Sequence, residues 1–170
     1  IRLSLVGSEM CIRDRYLLSD SDAIIDLHSA AKGRSNMPQL RVNLAHAGSN
    51  ILAKAFGIEI LLDSKAPSGS LRKAANEQDI PAITYEGGGA NLLDNTTVKV
   101  AIHGVLNVLR SLRMIPGTPN RPRFRMLASG SRWLRAGEGG LLDMFVSAGS
   151  VMREGAVSYT HLRAHETKAN

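Results

Sequence analysis

The sequence predicts an α/β fold, and three observations carry the prediction. Three short apolar runs, 22–27 (DAIIDL), 58–62 (IEILL) and 81–86 (PAITYE), each end at a loop or a glycine and read as strands. Between them lie segments opened by helix-capping residues. After them, residues 95–114 place Val98, Ile102, Val105, Leu109 and Leu112 at alternating steps of four and three, one apolar stripe of an amphipathic helix. Strands alternating with helices call for a sheet with helices packed on it.

Taken in order, the first strand ends at His28. Residues 30–40 carry Gly, Ser, Asn and Pro and read as a long loop of the kind that holds function. Ser49 or Asn50 is placed to cap a short helix running to Phe56, which Gly57 stops. The second strand follows, then a turn at Pro67, Ser68 and Gly69. Ser70 caps a helix over 71–78, and the third strand closes on Gly87, Gly88 and Gly89. The long helix ends at Pro116 and Gly117. From Thr118 the texture changes: PGTPNRPR reads as a linker, and the pieces 124–128, 131–136 and 141–146 read as short strands separated by glycine. The expected organisation is an α/β domain over 16–117 and a small β domain over 118–156.

The two ends are read separately. Codons for Leu5 to Arg15 (LVGSEMCIRDR) can be chosen so that the opposite DNA strand encodes VSYTHLRAHE, which is Val157 to Glu166. One DNA element, resembling a transposase-type sequencing adapter, accounts for both. Segments 1–15 and 157–170 are therefore expected to lie outside the native fold, disordered or non-native. This sets aside the single cysteine, Cys11, and the His161/His165 pair, whose spacing of four otherwise suggests a helical metal site.

Composition then excludes several classes. The chain carries 21 basic and 15 acidic residues; the two end segments hold five and three of these, leaving a net charge of +4 between them. Seven arginines fall between Arg110 and Arg135 with no acid among them. Only Phe124 and Trp133 accompany them, without the aromatic interleaving of a base-stacking surface, so they read as solvated charge and protected strand edges rather than a nucleic-acid interface. No apolar run approaches the ~20 residues of a membrane span. Without cysteine there is neither disulfide nor thiolate metal site, and a cytoplasmic protein is expected.

Two strand ends carry chemistry. In Asp26-Leu27-His28 the period of two puts Asp26 and His28 on one face. Imidazole is an ordinary zinc ligand, and a neighbouring carboxylate can hold its second nitrogen. A structural histidine fits the same residues. In Thr84-Tyr85-Glu86-Gly-Gly-Gly a carboxylate ends an apolar strand just before glycines that admit close approach. Such a glutamate suits general acid–base work on a metal-activated water; a solvent-facing strand end suits it equally.

The strings DLHSAAKGRSNMPQLRVNL, GSLRKAANEQDIPAITYEGG and HGVLNVLRSLRMI, in that order, resemble the succinylglutamate desuccinylase/aspartoacylase family, and the resemblance spans 22–155. It implies a partial zinc-carboxypeptidase-like sheet with helices on it. It further implies a zinc-dependent deacylase that cleaves the amide of an N-acyl amino acid, or a related amide or ester, and so a small-molecule substrate. Carried over residue by residue, His28 matches a zinc ligand and Glu86 the carboxylate that activates water. Asp26 is then the carboxylate behind His28. Arg72, Arg41 and Arg34, in that order, are candidates to grip a substrate carboxylate.

One departure stands beside the match. The family draws its other two ligands from an upstream His-x-x-Glu, and the residues three after His28, His46 and His103 are Ala31, Ser49 and Leu106. That motif is expected before residue 16, which leaves this chain a weak zinc binder, inactive alone. The alternative is a non-catalytic binding module with a degenerate site. The C-terminal β segment has Met152 and Arg153 where a carrier hairpin would need an acceptor lysine.

Overall fold

The computed structural model describes residues 17–90, 93–135, 137 and 139–163. Two compact units divide between Ser131 and Arg132. The first holds β1 (Ile24–His28), β2 (Ser35–Val42), α1 (Ala47–Phe56), β3 (Ile60–Asp63), α2 (Leu71–Glu77), β4 (Ala82–Gly89), α3 (Asn95–Ser111) and β5 (Met126–Ala128). Its sheet has the order β1-β4-β2-β3-β5, in which β4 runs parallel to β1 and antiparallel to β2. The α/β class expected from the sequence is the one observed.

Strand alternation sorts the sheet into two faces. Leu40, Val42, Leu61, Ile83 and Tyr85 point one way, where Leu52, Ala53 and Phe56 of α1 and Val108 of α3 close the main core over them. Ile24 and Ala82 point the other way, against Leu71, Ala74 and Ala75 of α2 and the buried Leu18. On that second face the residues beyond Ile24 and Ala82 are polar: Asp26 and His28 on β1, Thr84 and Glu86 on β4.

Several expectations need correction. Residues 30–40 are not one long loop, because Ser35–Val42 is a strand paired on both sides. Its alternation is hidden by a bulge: Asn36 pairs with Gly88 and Gln39 with Glu86, so Met37 and Pro38 together oppose Gly87. Proline, with no N–H to offer a ladder, belongs at such a bulge.

The cap of α1 is neither Ser49 nor Asn50 but His46, whose Nδ1 accepts from the Ser49 N–H at 3.0 Å while Nε2 lies 3.0 Å from Asp79 Oδ1. Ser49 is instead fully buried, accepting from the Ala82 N–H at 3.0 Å and from Asn76 at 3.3 Å.

The apolar stripe of α3 faces the sheet only in part: Val105 packs against the main core and Leu109 is half-buried, but the rest is exposed. Val98, Ile102 and Leu112 are 37%, 51% and 54% exposed, and the helix buries Thr97, Gly104, Asn107 and Val108. Three contacts select that face. Gly104 lets α3 approach until its backbone lies on the Phe56 ring, where a Cβ would meet ring carbons at 2.0–2.4 Å. Asn107 donates to Phe56 O at 3.2 Å and exchanges hydrogen bonds with the Asn120 backbone. Tyr85 donates to Thr97 O at 2.9 Å. Small and hydrogen-bonding side chains thus override the hydrophobic count.

The domain boundary expected at 117/118 also falls inside the first unit, since β5 pairs in parallel with β3. Of the strands expected beyond it, 131–135 is irregular, and Gly140–Met144 forms β6. In the second unit β6 pairs with β7 (Tyr159–Arg163). Segment 157–170 was expected to lack native structure; its described part forms a strand, because an unpaired edge such as that of β6 accepts any extended backbone. The strand β6 is exposed along its length. Segment 1–15 lies outside the described residues.

Candidate functional site

His28 and Glu86 are direct partners in the parallel β1–β4 pair, the last pair in its register. Residues in register on parallel neighbours share a face, and adjacent strands run ~4.8 Å apart. The two side chains predicted to act together therefore arise side by side at the C-terminal end of the sheet, the position where open α/β sheets hold ligands.

Each is held from one side. His28 Nε2 lies 2.9 Å from Asp26 Oδ2, two residues back on the same face, which leaves Nδ1 as the ring nitrogen no carboxylate engages. The imidazole is half exposed and the Asp26 carboxylate 25% exposed. Glu86 is more enclosed, at 15%. Its Oε2 accepts from Asn36 Nδ2 at 2.8 Å, and its Oε1 lies 3.3 Å from Arg41 Nε. That nitrogen is close enough for an ion pair but too misaligned for a hydrogen bond, so its N–H is buried without an acceptor. The remainder of the Arg41 guanidinium reaches the surface.

The three arginines fare differently. Arg72 is 3% exposed and donates from Nη1 to Ser64 O at 2.8 Å and from Nη2 to Ser64 Oγ at 3.2 Å. Its pKa is lowered, first by burial and then by the positive charge of Arg41, with the Asp26 carboxylate opposing. Arg72 thus lies within electrostatic reach of both halves of the site while part of its donor set is spent on the backbone after β3. Arg41 stands directly on Glu86. Arg34 is exposed on the loop before β2.

Asn36 is the site residue that sequence reasoning missed. The cue was Pro38 inside an otherwise strand-like stretch, which marks a bulge and hence a change of face. Glycines shape the neighbouring wall: a Cβ at Gly87 would fall 2.5 Å from the Tyr85 hydroxyl and 2.6 Å from Thr97 Cγ2. An apolar groove of about 870 Å³ lies along α3, lined by Leu27, His28, Gly87, Leu93, Val98 and Ile102 among others, and Glu86 is not part of it. Alternation along β4 turns Tyr85 and Gly87 to that groove and Glu86 away from it.

For a metal, an imidazole backed by a carboxylate fits one ligand position. Among the described residues no three His, Cys, Asp or Glu side chains gather as a ligand set. Among the described residues no helix is long and apolar enough to cross a membrane.

Known proteins resemble this chain in sequence and in fold. The model of the succinylglutamate desuccinylase/aspartoacylase catalytic domain matches residues 12–112, more than half of the chain. No curated protein matches in sequence. Among solved structures, a succinylglutamate desuccinylase/aspartoacylase from Rhodobacter sphaeroides superposes with a TM-score of 0.78 at 20% identity, over 94% of this chain and 52% of that one. The product-bound ectoine utilization protein EutE (DoeB) from Ruegeria pomeroyi gives 0.80 at 18%, over 99% and 54%. An aspartoacylase family protein from Mesorhizobium loti gives 0.71 at 21%, over 96% and 57%. These likenesses show a shared fold, and the chain spans about half the length of the solved proteins it matches. With the catalytic-domain model matching more than half of its residues, the chain belongs to the succinylglutamate desuccinylase/aspartoacylase family.

Proposed function

We propose that this chain carries half of the active centre of a zinc-dependent deacylase that hydrolyses the amide of an N-acyl amino acid or a related small amide or ester. The observation that carries the reading is the in-register pairing of His28 with Glu86, the last pair between β1 and β4, with Asp26 holding the imidazole. Zinc, when bound, polarises the scissile carbonyl and makes water easier to deprotonate. His28 would hold it through Nδ1, and the other ligands would come from outside the described residues. Asp26 orients the ring and fixes which nitrogen is free. Glu86 takes a proton from the attacking water at a carboxylate oxygen and returns it to the leaving nitrogen. Arg41, beside Glu86 and partly exposed, is the best placed of the three arginines to receive a substrate carboxylate. Arg72 acts behind it, holding Ser64 and adding positive potential.

The test uses the whole protein that contains this chain, assayed on a panel of N-acyl amino acids with metal content measured in parallel. Glu86→Gln is expected to keep zinc and lower kcat ~10²–10⁴-fold. His28→Ala is expected to lose the metal itself. Wild-type turnover in Glu86→Gln, or full zinc occupancy in His28→Ala, would sink the proposal. The 170-residue chain, with its single imidazole ligand, is expected to bind Zn²⁺ weakly and to be inactive by itself.

A further inference from the structure

We infer that Asn36 is a positioning residue for Glu86, delivered to it by the Met37–Pro38 bulge; the inference rests on the proposal that Glu86 is the proton-transferring carboxylate. In a regular strand Asn36 and Gln39, three apart, point to opposite faces. Here β2 spends two residues, Met37 and Pro38, against the single Gly87. The extra residue restores parity, so Asn36, Gln39 and Arg41 all share the face of Glu86. Gln39 pairs with Glu86 directly, Arg41 with Thr84, and Asn36 with Gly88 one step beyond.

The consequence is a carboxylate approached by two donors of different quality. Asn36 Nδ2 donates to Oε2 at 2.8 Å in good geometry. Arg41 Nε sits 3.3 Å from Oε1 without the alignment to donate. The amide therefore sets the plane of the Glu86 carboxyl group and leaves Oε1 the less committed oxygen, the one able to take up and release a proton. Part-buried and short, Asn36 does this with little rotamer freedom of its own. A glutamate free to rotate would spend much of its time with neither oxygen aimed at the reacting atoms, and proton transfer is sensitive to such misplacement.

The inference is tested in the whole protein by a cycle of Asn36→Ala, Glu86→Gln and the double variant, with kcat, KM, zinc content and melting temperature read for each. Asn36→Ala is expected to lower kcat ~10–100-fold, with KM changed less than about threefold, zinc retained and melting near wild type. In the Glu86→Gln background the same substitution is expected to have no further effect on kcat. Asn36→Gln, which keeps an amide donor, is expected to recover part of the loss. Should Glu86→Gln turn over like wild type, the role of Glu86 itself falls. If Glu86→Gln is impaired while Asn36→Ala keeps wild-type kcat, Glu86 stands and the positioning role of Asn36 is overturned. An Asn36→Ala defect that persists undiminished in the Glu86→Gln background likewise overturns it.

Discussion

Replacing Gly104 by alanine sets two effects of known size against each other. In a helix interior alanine is favoured over glycine by ~1 kcal/mol. At this position the new Cβ would lie 2.0, 2.1 and 2.4 Å from Cε1, Cζ and Cδ1 of Phe56. Carbon atoms settle at ~3.5–4.0 Å, so the ring must withdraw by about 1.5 Å. It has nowhere to go: Phe56 is 1% exposed and stacks on Tyr85 with ring centroids 5.8 Å apart. Overpacking of this kind costs ~1–3 kcal/mol, occasionally more. The clash wins, and Gly104→Ala is expected to destabilise the chain by ~1–2 kcal/mol in urea unfolding followed by circular dichroism. Phe56→Leu, which removes ring atoms, should offset part of that loss, giving a favourable coupling of ~1 kcal/mol in the double variant. Ile102→Lys, on the 51% exposed face, should change stability by less than ~0.5 kcal/mol. Were Gly104→Ala neutral or stabilising while Ile102→Lys cost several kcal/mol, α3 would pack through its apolar stripe and the observed helix face would be wrong.

Three further outcomes follow from the same contacts. Burial, helped by the negative charge of Asp94, pushes the Tyr85 pKa up to about 12, above its ordinary value of 10. The unfolded chain therefore releases this proton first as pH rises. The stabilisation, ~2–3 kcal/mol from a shift of about two units, is complete below pH ~10 and drains away toward pH 12. Tyr85→Phe should flatten that alkaline loss in unfolding curves while costing ~1 kcal/mol at neutral pH for the lost bond to Thr97. Ser49→Ala strands the buried Ala82 N–H and should cost ~1–3 kcal/mol, visible as a lower unfolding midpoint with an unchanged slope. Arg72→Met leaves the Ser64 carbonyl without its 2.8 Å donor and should lower stability by ~1–3 kcal/mol; unchanged melting with a raised KM in the whole protein would instead show Arg72 gripping substrate directly.

Much of the site was legible before any coordinates. Period two placed Asp26 and His28 together because strand geometry leaves no alternative, and their 2.9 Å contact follows from it. Ser70 capped α2, and Gly57 ended α1, because those choices turn on local backbone chemistry. Glu86 at a strand end before three glycines was conspicuous for the cost of burying a carboxylate without purpose. The strand order was not legible, since pairing partners far apart in sequence leave no local mark. Only the tertiary structure put His28 and Glu86 in register and turned Ser35–Val42 into the strand between β4 and β3. It alone set the bulge that brings Asn36 and Arg41 onto Glu86. The helix α3 shows the same division from the other side. Its existence and length were written in periodicity, but its buried face was decided by what it met: an aromatic ring that only a glycine could accommodate, a Tyr85 hydroxyl that donates to the Thr97 main-chain carbonyl, and backbone groups that Asn107 satisfies. Local rules govern what each segment becomes, whereas which face is buried depends on shape and hydrogen-bond complementarity between segments remote in the chain.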